Sequence, residues 1–194
     1  AIPRTLMAGF ILAAVATLVI GLVNFRSAET RTEAVRAMDR TTLAMRHLNR
    51  FTQAIKDAET GQRGYLLTSD FSYLEPFDAA VTSLHKHLTD LKASAADYPA
   101  HLQLVEQLEA LTQQKLRELT ETIALRKAGD GVGAMALVQS GAGQQIMDQL
   151  REVAESLRTQ QNLQLETRRE QWVAAATTSA LYAGAGSLGL RVLI

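Results

Sequence analysis

The sequence predicts an all-α protein: a four-helix up-and-down bundle whose long first and last helices continue into two transmembrane helices. Apolar residues recur every three or four positions over most of the chain, and no window of several residues alternates with the period of a strand. Only three prolines interrupt the pattern, at Pro3, Pro76 and Pro99. An uncharged apolar run lies near each end, at 6–23 and at 172–190.

The two apolar runs have the length of membrane spans. Residues 6–23 are uncharged and would extend roughly 27 Å as a helix, close to the hydrocarbon thickness of a bilayer. Residues 172–190 open with Trp172, a residue typical of membrane interfaces, and are followed by Arg191. A signal peptide at the front and a buried core helix at the back are the alternatives. The first run is longer than a usual signal core, however, and no convincing cleavage site follows it.

Charge and cysteine content narrow the function classes. The 20 basic side chains balance the 20 acidic ones, and all but Arg4 and Arg191 lie between positions 24 and 171. This middle segment therefore carries 18 basic and 20 acidic side chains, a net charge of −2. We expect no nucleic-acid partner, because no basic surface is indicated. The absence of cysteine excludes disulfides and thiolate metal sites.

The residues alone leave the membrane topology open. Arg26, Arg31, Arg168 and Arg169 flank the middle segment, so a literal count of positive charges would place it in the cytoplasm. That rule applies to loops shorter than roughly 60 residues and is unreliable for a translocated domain. The chain begins at Ala1 and ends on an apolar stretch, and we expect it to be part of a longer protein.

The first helix of the middle segment is predicted to run on from the membrane to about Thr68, where Ser69 and Asp70 end it. Two adjacent stripes of this helix are expected to face neighbouring helices. One stripe contains Val35, Met38, Thr42, Met45, Thr52 and Leu66, and the other contains Leu48, Phe51, Ile55, Ala58, Gln62 and Tyr65.

The second helix is predicted to begin with a capping box at Ser72 and Glu75 and to hold Pro76 in its first turn. A turn at 93–99 separates it from the third helix. Both helices show an apolar seam with a three-four spacing typical of bundles. The seams are Leu74, Phe77, Val81, Leu84, Leu88, Leu91 and Ala95, and then Leu102, Val105, Leu108, Leu111, Leu116, Leu119 and Ile123.

Glycines mark the end of the third helix and the start of the last. Gly129 is predicted to stop the third helix, and Asp130 to cap a short helix at 132–139. After an interruption at 140–143, the last helix is predicted to run unbroken into the second apolar run. Its seam becomes polar toward the membrane: Ile146, Leu150, Val153, Leu157, Gln160, Gln164 and Thr167.

The chain's most unusual stretch is 57–68, called here the 57–68 motif. It places two glycines three residues apart inside a helical pattern, where each costs about 1 kcal/mol relative to alanine. Glu59 and Arg63 stand at i and i+4, the favourable order for a helical ion pair. We predict a structural role in which Gly61 and Gly64 admit a neighbouring helix; the alternative is a glycine-weakened surface turn. The motif residues of interest are Asp57, Glu59, Thr60, Gly61, Arg63, Gly64 and Tyr65.

No catalytic or cofactor-binding pattern is found, and no catalytic, cofactor-binding or metal-binding residue is predicted. The glycine-rich residues 129–133 lack the lysine of a phosphate-binding loop. His85 and His87 are two apart and face different sides of a helix, and His47 and His101 are far from them in sequence. We therefore expect no cofactor and no enzymatic activity within this chain.

The sequence nevertheless resembles a known family. The resemblance covers about 43–171, and the 57–68 motif with Tyr73-Leu74-Glu75-Pro76-Phe77 is its most specific part. Residues 123–129, 137–143 and 147–151 also look like that family. This family is the third class of CHASE domains, extracellular sensory domains associated with cyclases and histidine kinases. The ligands of this class are generally unassigned, so the resemblance carries no binding residues over to this chain.

The resemblance implies a receptor that crosses the inner membrane twice. Residues 1–5 would be a cytoplasmic tail, 6–23 and 172–190 transmembrane helices, 24–171 a periplasmic or extracellular sensory domain, and 191–194 the start of a cytoplasmic output region. The output would most often be a histidine kinase; alternatives are a diguanylate or adenylate cyclase, or a chemoreceptor-like protein. The expected partners are membrane lipid, a second copy of the chain and an unidentified small-molecule or protein signal. A module that only dimerises, without a ligand, is a further alternative.

Overall fold

The protein is helical throughout the described residues, 3–192, in a computed structural model. Many side chains within 4–37 and 171–192 lie outside the described part. The helices are α1 (Arg4–Thr68), α2 (Leu74–Ala95), α3 (Pro99–Lys127), α4 (Gly131–Gln139) and α5 (Ala142–Val192), with a short 3-10 turn at Phe71–Tyr73. The described residues contain no strand, which confirms the predicted all-α bundle.

The chain divides into two compact units. One unit contains Ala1–Asp39 and Gln164–Ile194, and the other contains Arg40–Leu163. In the first unit, the described part of α1 exposes large apolar side chains at three- and four-residue spacing: Met7, Ile11, Val15, Leu18, Leu22 and Phe25. Among the described residues, no helix has both the length and the apolar character needed to cross a membrane. Transmembrane helices at 6–23 and 172–190 stay a prediction, since many of their side chains lie outside the description.

The second unit contains the hydrophobic core, which joins α1, α2, α3 and α5. One predicted stripe of α1 is buried completely, from Leu48 and Phe51 to Tyr65. The other predicted stripe is only partly buried: Leu66 is buried, Met45 and Thr52 are half-buried, and Thr42 is exposed. A bundle helix buries one stripe, and residues beside that stripe lie at its solvent edge. The main core cluster is Leu48, Phe51, Ala54, Ile55, Leu84, Leu88, Leu91, Ala95, Val105, Leu108, Met147, Leu150, Ala154 and Leu157.

The seams of α3 and α5 differ in detail from the prediction. On α5, Leu150 and Leu157 are buried as predicted, but their companions are Met147, Ala154 and Gln161. The predicted Ile146, Val153, Gln160 and Gln164 are half-buried, so the contact line lies about one position further along the chain. On α3, the core-facing side includes polar residues that an apolar pattern could not select: His101, Thr112, Lys115 and Thr122.

The turns follow local sequence signals with one exception. Ser69 ends α1 with a φ of 61°, Gly129 ends α3 with a φ of 85°, and Asp130 caps α4 by accepting a 2.7 Å hydrogen bond from the Gly133 N–H. The predicted capping box at Ser72 was wrong. Asp70 caps the 3-10 turn instead, accepting a 2.8 Å bond from the Ser72 N–H, and Tyr73 at the start of α2 makes no side-chain cap.

Candidate functional site

The 57–68 motif forms the last turns of α1 and faces the start of α2. A Cβ atom added at Gly61 would lie 2.8 Å from the carbonyl oxygen of Tyr73 and 3.2 Å from the Cβ of Phe77. A Cβ added at Gly64 would overlap the ring of Tyr73. Gly61 therefore stands where the chain entering α2 approaches α1 more closely than a side chain allows, and Gly64 stands against the Tyr73 ring of the preceding 3-10 turn.

A buried ionic cluster lies beside the motif and joins α1, α3 and α5. Lys115 is only 2% exposed, and its Nζ lies 2.8 Å from Glu118 Oε2 and 3.4 Å from Glu59 Oε1. The same ammonium donates a hydrogen bond of 3.2 Å to the Gly143 carbonyl. Arg63 extends the cluster to the surface by pairing with Glu59 at 3.1 Å. Three acceptors thus compensate a lysine that has lost its hydration.

The glycine at position 143 makes this cluster possible. Gly143 is buried, and a Cβ atom there would lie 2.7 Å from the carboxyl carbon of Glu118. A side chain would therefore displace the carboxylate that neutralises Lys115. Residues 140–143 were predicted as a simple interruption between helices, but α5 already begins at Ala142, and Gly143 belongs to its first turn.

A second buried polar contact ties the motif to α3. The Gln62 amide nitrogen donates a 2.7 Å hydrogen bond to the Thr122 hydroxyl, which donates in turn to the Leu119 carbonyl at 2.8 Å. Tyr65, also buried, stacks at a tilt on Phe71 with ring centroids 5.3 Å apart. These contacts fix the rotation of α1 about its axis at this level of the bundle.

Two further residues of the motif, Asp57 and Thr60, face outward. Asp57 accepts a 2.8 Å hydrogen bond from the Gln53 amide, and Thr60 donates to the Lys56 carbonyl at 2.8 Å. Both residues line a groove between α1 and α2, called here the α1–α2 groove. It has a volume of about 680 Å³ and is open to solvent. Its polar lining consists of Arg50, Gln53, Asp57, Thr60, Tyr73, Ser83 and His87.

The α1–α2 groove offers both charge signs and several neutral hydrogen-bonding groups over an apolar floor that includes Ala54 and Ala80. Such a combination is typical of small-molecule sites. A smaller groove of about 370 Å³ lies between α2 and α3. Its charged lining residues, Lys92 and Glu109, already pair with each other at 3.0 Å. Of these two grooves, the α1–α2 groove is therefore the better candidate for a ligand.

A histidine cluster lies at the edge of this groove. His47 Nδ1 is 3.3 Å from His87 Nδ1 and 3.2 Å from Asp90 Oδ2. Burial is the main cause that lowers the pKa of His87, followed by the charges of His47 and Arg50.

Sequence reasoning missed this cluster because His47 lies on another helix, forty positions away. The prediction that no metal-binding residue is present did not consider these three residues together. Only the spacing of His87 and Asp90, three apart on α2, gave a local signal.

Comparisons with known proteins agree with this geometry. A family model described as CHASE3 domain matches residues 34–171, well over half of the chain and all of the 57–68 motif. The sensor domain of the Rhodopseudomonas palustris histidine kinase HK9, known from a crystal structure, has a similar fold with a TM-score of 0.59 and 24% sequence identity. That match covers 63% of this chain and 97% of the HK9 domain chain. No curated protein matches the sequence significantly. The chain therefore belongs to the CHASE3 domain family and contains a sensory input domain.

Proposed function

We propose that residues 24–171 are the extracytoplasmic input domain of a membrane receptor, with a two-component sensor histidine kinase as its class. The observation that carries this proposal is the family match over the whole bundle, together with an apolar run on either side of it. The similar fold of a histidine kinase sensor domain supports the choice of output. Kinase activity would reside in a separate cytoplasmic region, so the input domain itself is not an enzyme.

Lipid contact is supported by the exposed apolar face of α1. Leu18 is 73% exposed and Phe25 is 69% exposed, on the same side as Met7, Ile11 and Val15. Such a continuous apolar face is costly in water and favourable in a bilayer. This face supports residues 6–23 as one span of the inner membrane, and the uncharged run of the sequence at 172–190 supports a second. In this proposal 1–5 and 191–194 lie on the cytoplasmic side.

Signal transfer by helix displacement is supported by the continuity of α1 and α5. These helices have 65 and 51 residues, and each includes both a segment of the bundle and one apolar run. A helix that is continuous transmits a piston, rotation or tilt more directly than a flexible linker does. Repacking of the bundle would therefore change the position of a span.

The seam of α5 becomes weaker where such movement would be needed. Gln161 is 5% exposed and Gln160 is half-buried. Within the described part of the chain, the side-chain carbonyl oxygen of each has no hydrogen-bond partner. Unsatisfied polar groups destabilise the packing of α5 that the structure shows. The free-energy difference between this packing and an alternative one is therefore smaller in this part of the helix.

We propose that the stimulus is a small molecule that binds in the α1–α2 groove. A thermal-shift screen of the full 194-residue chain in detergent micelles tests this proposal. A small molecule that occupies the groove should raise the melting temperature of the wild type. The same molecule should fail to stabilise Ser83→Trp, which fills the groove, and should stabilise Gln113→Trp, which changes only the surface between α2 and α3. A ligand whose effect survives Ser83→Trp and is lost in Gln113→Trp would contradict the assignment.

A ligand-free dimerisation module is the second candidate, favoured by the glycines Gly184, Gly186 and Gly189 in the second apolar run. Sedimentation of the chain in micelles should then show a dimer that Gly186→Leu dissociates. If the melting temperature depends on chain concentration and no compound in the screen raises it, dimerisation rather than sensing is the function of the bundle. A cyclase or chemoreceptor-like output remains compatible with either outcome.

A further inference from the structure

The His47–His87–Asp90 cluster has a geometry that a simple hydrogen-bond network does not explain. The candidate ligand atoms of the three residues lie within 4.8 Å of one another. His47 Nδ1 is close to two of them, His87 Nδ1 and Asp90 Oδ2. A ring nitrogen carries at most one hydrogen, so it can donate well to only one of these neighbours. Three side chains that can each offer a ligand atom therefore lie close together.

Two of the three distances between the candidate ligand atoms match those around a tetrahedral metal ion, and the third pair, His87 and Asp90, lies within 4.8 Å. Zinc binds imidazole nitrogen at about 2.0–2.1 Å and carboxylate oxygen at about 2.0–2.2 Å. Two ligand atoms on neighbouring corners of such a tetrahedron lie about 3.3–3.4 Å apart by simple trigonometry from these bond lengths. The observed separations are 3.3 Å between the two ring nitrogens and 3.2 Å between His47 Nδ1 and Asp90 Oδ2.

The helices hold the three side chains at the edge of the bundle. His87 and Asp90 lie three residues apart on one face of α2, a spacing that helical metal sites use, and His47 reaches them from α1. His87 is 5% exposed, whereas His47 and Asp90 are half-buried. The cluster is therefore anchored on its inner side and open to solvent on its outer side, so water can complete the coordination.

We propose that His47, His87 and Asp90 form a Zn²⁺ site that clamps α1 to α2. The ion is bound by two nitrogens and one oxygen, a ligand set that suits zinc. A bound ion would hold the two helices that line the α1–α2 groove at a fixed separation. This site is independent of the proposed receptor class, because it requires only the fold of residues 40–163.

Calorimetric titration of the untagged full chain with Zn²⁺ in micelles tests the site. We expect one ion per chain, and an increase of the melting temperature with Zn²⁺ concentration. His87→Ala and His47→Ala should each weaken Zn²⁺ binding by more than the 10- to 100-fold that loss of an outer-shell partner costs. Asp90→Asn, a half-buried and nearly isosteric change, should weaken binding without disturbing the helical circular dichroism.

His85→Ala is the matched control. His85 is exposed on α2, and its Nδ1 lies 2.9 Å from the Val81 carbonyl oxygen, away from the cluster. This variant should bind Zn²⁺ as the wild type does. Two results would overturn the site. One is the absence of any binding heat at Zn²⁺ concentrations up to about 1 mM, which corresponds to a binding free energy weaker than about −4 kcal/mol. The other is an unchanged Zn²⁺ affinity in a well-folded Asp90→Asn chain.

Discussion

The Lys115 ammonium lies 3.4 Å from the Glu59 carboxylate, and the lysine is only 2% exposed. This contact joins the 57–68 motif of α1 to the middle of α3. Glu59 is the residue that was expected to pair with Arg63, and it does so at 3.1 Å. Its second partner gives the glutamate a role in the interior as well as at the surface.

Replacing Lys115 with methionine should destabilise the bundle strongly. Lys115→Met keeps most of the side-chain volume but removes the ammonium that pairs with Glu118 and Glu59. Breaking a buried pair by removing one partner costs about 3–5 kcal/mol, and we expect the lower end because Glu59 keeps Arg63. Lys92→Met is the control, since the Lys92–Glu109 pair is half-exposed and should contribute less than about 1 kcal/mol. Chemical denaturation followed by circular dichroism measures both; equal effects would contradict the buried cluster.

The two glycines of the motif should respond differently to alanine. Gly61→Ala would press against the Tyr73 backbone carbonyl, which cannot move without shifting the start of α2. We expect a net loss of about 1–2 kcal/mol, because overpacking exceeds the gain in helix propensity. Gly64→Ala would meet the ring of Tyr73, a side chain rather than backbone, and because Tyr73 is 42% exposed the ring has space to shift toward solvent. Its effect on the free energy of unfolding should stay within about 0.5 kcal/mol. A reversed order would refute the close approach at Gly61.

The Gln62–Thr122 hydrogen bond should be measurable by an isosteric change. Thr122→Val removes the hydroxyl that accepts from the Gln62 amide at 2.7 Å and leaves a buried donor without that acceptor. The free energy of unfolding should fall by about 1–3 kcal/mol. Thr120→Val, at an exposed position of the same helix, should change it by no more than about 0.5 kcal/mol. Similar melting curves for the two variants would show that the buried bond contributes nothing.

Asp70 predicts a small dependence of stability on pH. The hydrogen bond from the Ser72 N–H is the main cause that lowers the pKa of Asp70 below its ordinary value of 3.8, and the Ser72 hydroxyl adds to it. A lowered folded-state pKa stabilises the protein above that ordinary value, and the contribution disappears as the pH falls through the folded-state pKa. Asp70→Asn should therefore melt below the wild type at pH 6, and the difference should shrink near pH 3. A difference that stays constant over this range would contradict the ionic cap.

Local signals in the sequence predicted the helices and most of their ends. The buried stripe from Leu48 to Tyr65 follows from its spacing, and the stop at Gly129 follows from a residue that tolerates a positive φ. Ser69 also ends a helix at a positive φ, which is uncommon for a serine. The prediction of a capping box at Ser72 was wrong because Asp70, two residues earlier, accepts a hydrogen bond from the Ser72 N–H. Asp70 thereby caps a 3-10 turn that precedes α2. Several neighbouring side chains can cap the same helix end, and the spacing of apolar residues does not show which of them does so.

Polar contacts across the bundle were not predictable in the same way. Lys115 and Thr122 stand seven positions apart on α3, on the face that also carries Leu108 and Leu119. That placement was readable from the sequence, but a charged residue within a seam is usually assigned to the surface. The partners of Lys115 come from α1 and α5, so only the tertiary fold brings them together. The histidine cluster was missed for the same reason.

Phosphorylation of a histidine kinase output fused after Ile194 gives the most direct test of helix-borne signalling. Gly61→Ala serves as a surrogate stimulus, because it repacks α1 against α2 without a ligand. We predict that it changes kinase output in the uninterrupted chain. A Gly-Gly-Pro insertion after Gln171, which breaks α5, should abolish that change and leave one fixed output level. If Gly61→Ala alters the output equally with and without the insertion, the signal does not pass through a continuous α5.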